Sequence, residues 1–370
     1  MKQLGVSIYP SRSNVEDDKS YLDLARSLGF TRIFTSLLEI TGDTDEVVKK
    51  FKNVIEYGNS LGMETILDIN PELFDQLGVS YDDLRFFKEL GAAGIRLDLG
   101  FTGAEEAKMT RNAHGLKIEV NISSGTNYID HVTSYQPNTE RLYASHNFYP
   151  QKYSGISQKH FEQTTKMFQK YNLKTAAFVT SQHGDIGPWP VQAGLCTLEQ
   201  HRNLLIQTQA THFRLMDMID DLIIGNAYAT KRELQQMSEA YFSTLPSFEV
   251  ELAKDVMDIE MKIVLEEEHQ YRGDRSAYMI RSTSSRMKYK EGDFPPHDTV
   301  PVKRGDVIIC NNHFGQYKGE LQIALQDMEN DGDRNVVGQL KEESHFLLDY
   351  LQPWTAFIFK RSTFGIENQW

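Results

Sequence analysis

The sequence predicts an α/β chain in two parts: a (β/α)8 TIM barrel over residues 1–245, then a smaller, mostly antiparallel β-barrel domain over residues 246–370. Three observations predict it. The first is the stretch from Gly94 to Gly100, where Ile95, Leu97 and Leu99 share one strand face while Arg96 and Asp98 share the other. Helical patterns flank it on both sides, Asp82 to Gly91 before and Gly103 to Ala113 after. A strand between two helices belongs to a parallel sheet with covered outer faces, so the charged face must point into an enclosed space. The interior of a closed barrel near its carboxyl-end mouth is such a place. The second observation is the count of eight strands with helices between them. The third is a change of pattern around Leu245 and Pro246.

In order, strand one is Leu4 to Tyr9, with Leu4, Val6 and Ile8 opposite Gly5, Ser7 and Tyr9. A helix over Asp18 to Leu28 ends at Gly29. Strand two is Arg32 to Leu38, with Glu39 at its carboxyl end. The amphipathic helix Thr44 to Leu61 closes at Gly62. In strand three, Glu64 to Asn70, Asp68 points inward near the top. Strand four is the opening stretch. Strand five, Lys117 to Ser123, sets Glu119 and Asn121 on the inner parity, and strand six, Leu142 to Tyr149, ends in His146-Asn147-Phe148-Tyr149-Pro150. Strand seven is Thr175 to Ser181. A long loop containing Gly184 to Pro190 follows, and Thr197 caps a helix over Leu198 to Gln207 with Gln200 in a loose capping-box position. Helical character continues through Phe213 to Met218. Strand eight, Asp221 to Gly225, and the helix Lys231 to Tyr241 complete the barrel.

From Phe248 the chain reads as short β pieces between turns such as Arg272-Gly273-Asp274 and Lys303-Arg304-Gly305-Asp306. Val307 to Cys310 and Phe357 to Phe359 are its clearest strands. Asn335 to Gln339 and Glu342 to Tyr350 mix helix and strand signals.

A length of 370 residues suits a barrel plus a smaller module. The formal charge of -13 argues against nucleic acid or an anionic membrane as partner, since both need a basic footprint. It leaves room for a small phosphorylated substrate. Two distant cysteines, Cys196 and Cys310, make no disulfide framework and read as core. With no signal peptide or spanning segment in sight, the expected compartment is the cytoplasm. Nothing in the sequence speaks to oligomeric state.

Glu39, Asp68 and Asp98 are acids at the ends of three successive strands, which barrel geometry brings to one mouth. Any one of them could instead cap a helix. Arg96 and Glu119 lie at one level on adjacent strands about 4.8 Å apart, so they are expected to pair, leaving Asp98 the freer acid. If Arg96 reaches up to Asp98 instead, that acid is suited to a charged role rather than proton donation. No lysine lies near a strand's carboxyl end, so Schiff-base and pyridoxal phosphate chemistry lack their nucleophile. His146 with Glu39 and Asp68 could bind one metal, but ligand spacing is absent, and the expectation is no metal and no cofactor. An acid-rich, lysine-poor mouth fits glycosidic cleavage, in which one carboxyl protonates the leaving oxygen. A second then stabilises or attacks the anomeric carbon, or orients an acetamido group that does so. Tyr9, Phe148, Tyr149, Trp189 and Tyr228 near the mouth could stack on sugar rings or simply pack. Asn121, His146, Asn147 and Asp185 complete the candidate contacts in the barrel. In the second domain, Arg281 and Ser282, and Asn311 with Tyr317 and Lys318, mix cations, hydroxyls and amides as anion-binding surfaces do.

The motifs Ile95-Arg96-Leu97-Asp98-Leu99-Gly100-Phe101, His146 to Pro150, Gly184 to Pro190, Thr197 to Arg202 and Tyr317-Lys318-Gly319-Glu320 resemble those of the MupG-type 6-phospho-N-acetylmuramidases. The resemblance covers nearly the whole chain. It implies a cyclophilin-like β-barrel as the second domain, contributing to the substrate site. It also implies cytoplasmic hydrolysis of the bond between N-acetylmuramic acid 6-phosphate and N-acetylglucosamine, in recycling of cell-wall fragments. From their strand-end positions, not from the resemblance, Asp98 and Glu39 are the expected acid and its partner, with Asp68 third. The chain departs from the family pattern at Pro296-His297-Asp298-Thr299, where Pro-x-Asn-Thr is expected. A non-catalytic sugar-phosphate sensor and a single-metal barrel enzyme acting on phosphosugars are the alternatives.

Overall fold

The structure, a computed structural model, describes residues 2–38, 44–77, 79–98, 102–190 and 193–362. Two compact units divide the chain, residues 1–241 and 242–370.

In the first unit, eight parallel strands close into a barrel in sequence order, with β8 pairing back onto β1. They are β1 (Gln3–Ser7), β2 (Arg32–Ser36), β3 (Glu64–Ile69), β4 (Gly94–Leu97), β5 (Lys117–Asn121), β6 (Leu142–Ser145), β7 (Lys174–Val179) and β8 (Asp221–Ile224). The TIM barrel expected from the alternation is the fold. Strand parity decides the layers: Leu4, Val6 and Ile33 face outward among helix residues such as Leu22 and Val54, as Ile95 and Leu97 do beside Phe87 and Met109. Leu99 lies outside the described residues.

The helices begin and stop where side-chain chemistry tells them to. Asn14 caps the helix Val15–Ser27 by accepting from the Glu16 amide at 2.8 Å, and Gly29 turns the chain out of it at a φ of 91°. Several boundaries differ from expectation: strand six stops at Ser145 rather than Tyr149, and the helix before strand four is Arg85–Glu89 rather than Asp82 to Gly91. Thr197 caps no helix; a short 3-10 turn, Glu199–His201, follows it, and the α-helix is Ile206–Met216. The reason is competition for the hydroxyl, which accepts from the Phe178 amide and donates to the Asn147 carbonyl, both at 2.9 Å.

The barrel interior is unusually charged toward the amino ends of the strands. Lys117 pairs with Glu64 at 2.6 Å and Lys174 with Asp221 at 2.8 Å, and both ammonium groups lie over the Tyr143 ring. Arg32, fully enclosed, bonds Glu119 and also Asp221 at 2.8 Å. Phe34, Phe178, Ala176 and Ile223 form an apolar plug with Phe148. Gly94 is needed where β4 approaches its neighbours: a Cβ there would stand 2.6 Å from the Lys117 carbonyl oxygen and 2.9 Å from Ile66 Cδ1. Gly94→Ala is expected to cost about 1–3 kcal/mol of stability through overpacking. Urea denaturation followed by circular dichroism checks this, and an unchanged midpoint would contradict it.

The second unit is one seven-stranded sheet in the order β10-β15-β9-β14-β12-β13-β11, nearly closed and barrel-like. Its strands are β9 (Ser247–Leu252), β10 (His269–Gln270), β11 (Met279–Ser282), β12 (Asp306–Cys310), β13 (Leu321–Ala324), β14 (Arg334–Leu340) and β15 (Ala356–Arg361). All pairings are antiparallel except β15 on β9, so the sheet is mixed. The two ambiguous segments resolve as the strand β14 and as 3-10 turns over Glu342–Asp349. Asp298 adopts a φ of 44°, a conformation that Asn and Asp share more readily than other L residues. An Asp in place of Asn is therefore compatible with the backbone at this position.

Candidate active site

Inward parity sets Asp68 of β3 level with Arg96 of β4, and Arg96 level with Glu119 of β5. The expected pair Arg96–Glu119 does not form. Arg32 reaches Glu119 from β2, while Arg96 bonds Asp68 at 2.5 Å and Asp98 at 3.2 Å, both through Nη1. Its Nε donates to Ser145 at 2.8 Å and its Nη2 to Asn147. All five donors of a guanidinium lie in one plane, so this set of partners fixes the group rigidly. Arg32, the first inward residue of β2, is the residue that sequence reasoning missed; its parity with Phe34 was the signal.

The two acids differ in environment. The Asp98 side chain is 26% exposed and that of Asp68 only 5%. Burial pushes the Asp68 carboxyl up to about 7, with Arg96 opposing the rise and the Asp98 charge adding to it. For Arg96 burial works against the charge, but Asp68, Asp98 and Glu119 outweigh it and hold the guanidinium protonated. Glu39 lies outside the described residues.

Asn121 supports the site by donating to the Asp98 carbonyl at 3.3 Å, and it also accepts from the Ser123 amide at 2.8 Å. Asn147 touches Arg96 directly and is half-buried. Tyr149 is half-buried beside Ser123; burial raises its phenol, and Arg96 and Asp98 both act on it. His146 is fully buried, with Nδ1 3.1 Å from Ser123 Oγ and Nε2 2.9 Å from Thr165 Oγ1. Burial lowers its pKa to about 3, so the imidazole is neutral and acts by holding Ser123, which in turn receives the Asn147 amide at 3.0 Å. Tyr9 is also enclosed, its phenol donating to the Gly225 carbonyl at 2.5 Å. Trp189 is half-buried against Phe148, with ring centroids 6.1 Å apart. Asp185 is exposed on a cleft of about 370 Å³ that Lys152, Ser181, Arg202 and Asn226 also line. Among the described residues, no three His, Cys, Asp or Glu side chains are grouped to hold a metal ion.

The rim around β6 and β7 is tied by one acid. Glu199 accepts from the amides of Tyr153 and Gly155, each at 2.8 Å, and pairs with Arg202 at 2.7 and 2.6 Å. Arg202 Nη1 reaches on to the carbonyls of Tyr149 and Ala193, both at 2.9 Å. The Arg202 hydrogen bond heads the causes that lower Glu199 to about 2.

In the second unit, Arg281 and Tyr317 come together, with the guanidinium 5.5 Å from the ring centroid. Ser282 and Asn311 are fully buried. Ser282 meets His269, and Asn311 caps the 3-10 turn Asn312–Tyr317 and bonds Asn335. Lys318 is half-buried.

A family model described as "6-phospho-N-acetylmuramidase, N-terminal" matches residues 4–239, and its C-terminal counterpart matches residues 246–360. Among solved structures, an uncharacterized B. cereus protein is 45% identical with a TM-score of 0.89, covering 97% of this chain and 99% of its own. A conserved Enterococcus faecalis protein of unknown function is 24% identical with a TM-score of 0.77, over 98% and 97% of the two chains, and shows the fold alone. No curated protein matches. Among the described residues, no helix is long and apolar enough to cross a membrane.

Proposed function

The chain belongs to the 6-phospho-N-acetylmuramidase family, and from that membership we propose that it hydrolyses the bond between N-acetylmuramic acid 6-phosphate and N-acetylglucosamine, in cytoplasmic recycling of cell-wall fragments. The observation that carries the reading is the trio Asp68–Arg96–Asp98: two acids on one guanidinium, one buried and one partly exposed. Glycoside hydrolysis uses such a difference, a carboxylic acid that gives a proton to the leaving oxygen and a carboxylate that meets the positive charge at the anomeric carbon. Asp68 takes the donor role. Asp98, the more exposed of the two and also in contact with Arg96, takes the charged one, as nucleophile or as the group that orients the substrate's acetamido oxygen. Because both Oδ1 atoms bond the same nitrogen, at 2.5 and 3.2 Å, these oxygens lie closer than the separation of about 6.5 Å or more that leaves room for an inverting enzyme's water. The geometry therefore favours attack by Asp98 or the acetamido group over direct attack by water.

Incubation with the phosphorylated muramyl disaccharide should release N-acetylglucosamine, measured as a new reducing sugar. Binding without release, across a panel of phosphosugars, would overturn the enzyme reading in favour of a sensor. The donor assignment has its own test in pH. The active form carries the proton on Asp68, so kcat/KM should fall as pH rises through about 7, the value to which burial lifts this acid. A profile that stays flat across that range would remove Asp68 from proton donation.

A further inference from the structure

Three arginines of the second unit gather over two aromatic rings, and two of them share one carboxylate. Arg281 of β11 donates to Glu320 through Nε at 2.7 Å and through Nη2 at 3.2 Å, and Arg286 approaches the same carboxylate at 3.3 Å. Glu320 is fully buried. Gln322 also donates to it at 3.1 Å, and the same amide accepts from Arg334 Nε at 3.3 Å. The guanidinium groups of Arg281 and Arg286 lie over one ring, Tyr317, at 5.5 and 5.1 Å, while Arg334 lies over Phe314 at 4.7 Å. The two rings meet edge to face at 5.2 Å.

One buried carboxylate is satisfied by one bidentate arginine, and Arg281 already supplies that contact. Arg286 and Arg334 are surplus to it. Against three guanidinium charges stand Glu320 and Asp333, the latter 2.7 Å from Arg334, with Asp274 acting on Arg281 while itself paired to Arg272. Like charges stacked over a single ring repel, and this chain carries a net formal charge of -13 with no general excess of cations. The arginines are also built in rather than loose. Ser285, next to Arg286, donates to the Gly319 carbonyl at 2.7 Å and accepts from the Leu321 amide at 3.1 Å. Gly319 packs so closely here that a Cβ would come within 3.3 Å of Phe294 and 3.6 Å of Arg286 Cα. The side chains of all three arginines keep partial exposure, between 15 and 24%.

From this juxtaposition we propose that Arg281, Arg286 and Arg334, over Tyr317 and Phe314, form an anion site for the phosphate monoester of a sugar phosphate. A phosphate dianion accepts forked N–H pairs from several guanidinium groups at once and relieves their mutual repulsion. The inference rests on the proposed activity only for the choice of sugar. The phosphate chemistry comes from the arginines alone.

The test is calorimetric titration of the full chain with inorganic phosphate, N-acetylmuramic acid 6-phosphate and unphosphorylated N-acetylmuramic acid. The wild type should bind the first two, and Arg286→Gln and Arg334→Gln should each weaken that binding about tenfold or more. Arg286→Lys, which keeps the charge but not the fork, should fall between. Wild-type affinity in both glutamine variants would overturn the site, as would equal affinity for the unphosphorylated acid, which offers only its carboxylate. If a glutamine variant unfolds, the lysine variant decides, since unchanged affinity there removes the forked contact. Because binding is read without turnover, an inactive protein that loses phosphate with Arg286→Gln keeps this site while refuting the hydrolase.

Discussion

Asparagine at position 98 should cut turnover of the phosphorylated disaccharide by about 10²–10⁴-fold, the usual range for losing a positioned acid or base, and leave thermal unfolding nearly unchanged. The two halves of that expectation have separate causes. Asp98 is the more exposed acid and its contact with Arg96 is the longer one, at 3.2 Å. Without it Arg96 still holds Asp68, Ser145 and Asn147, so the wall of the barrel keeps its partners. The Asp98 charge is also one of the causes that raise Asp68. Any residual activity should therefore lose its alkaline limb at a lower pH than the wild type. Full activity in Asp98→Asn would remove the residue from the mechanism. An activated aryl leaving group separates the roles, because it needs little protonation: it should rescue Asp68→Asn and fail to rescue Asp98→Asn. Rescue of Glu39→Gln instead of Asp68→Asn would transfer the donor role to Glu39.

The largest stability effect is expected at Arg32. Arg32→Met strands Glu119 in the barrel without its arginine and leaves Asp221 to Lys174 and the Gln3 amide, and breaking a buried pair from one side costs about 3–5 kcal/mol. Denaturant unfolding of the single variant measures this. Adding Glu119→Gln should recover part of the loss, since an amide leaves no buried charge, and the coupling between the two changes isolates the pair. A single variant as stable as the wild type would mean that the charged layer is not holding the barrel together.

The barrel was legible because parity is a local property. Ile95 and Leu97 against Arg96 declare which way each points, whatever the rest of the chain does. Pairing inside the barrel is not local. Arg96 and Glu119 are level on adjacent strands, yet Arg32, one of the longest side chains available, reaches Glu119 from β2. Parity gives direction but not reach. The asymmetry between Asp68 and Asp98 was hidden for the same reason, since it comes from burial contributed by many strands. Aromatic residues near strand ends were named by proximity alone. The phenol of Tyr9 turns inward to Gly225, and that of Tyr228 donates to Asp18 at 2.8 Å. Thr197 read as a cap because its sequence context resembles one, whereas its hydroxyl is taken by residues some twenty and fifty positions away.

The clasp that Glu199 makes with Arg202 and the amides of Tyr153 and Gly155 has a consequence for kinetics. An acid lowered to about 2 keeps its charge through every pH at which a muramyl disaccharide would be assayed. Glu199 therefore releases neither Tyr153 nor Gly155 as the medium is titrated. A change of rate with pH will not be a rim coming loose at Glu199.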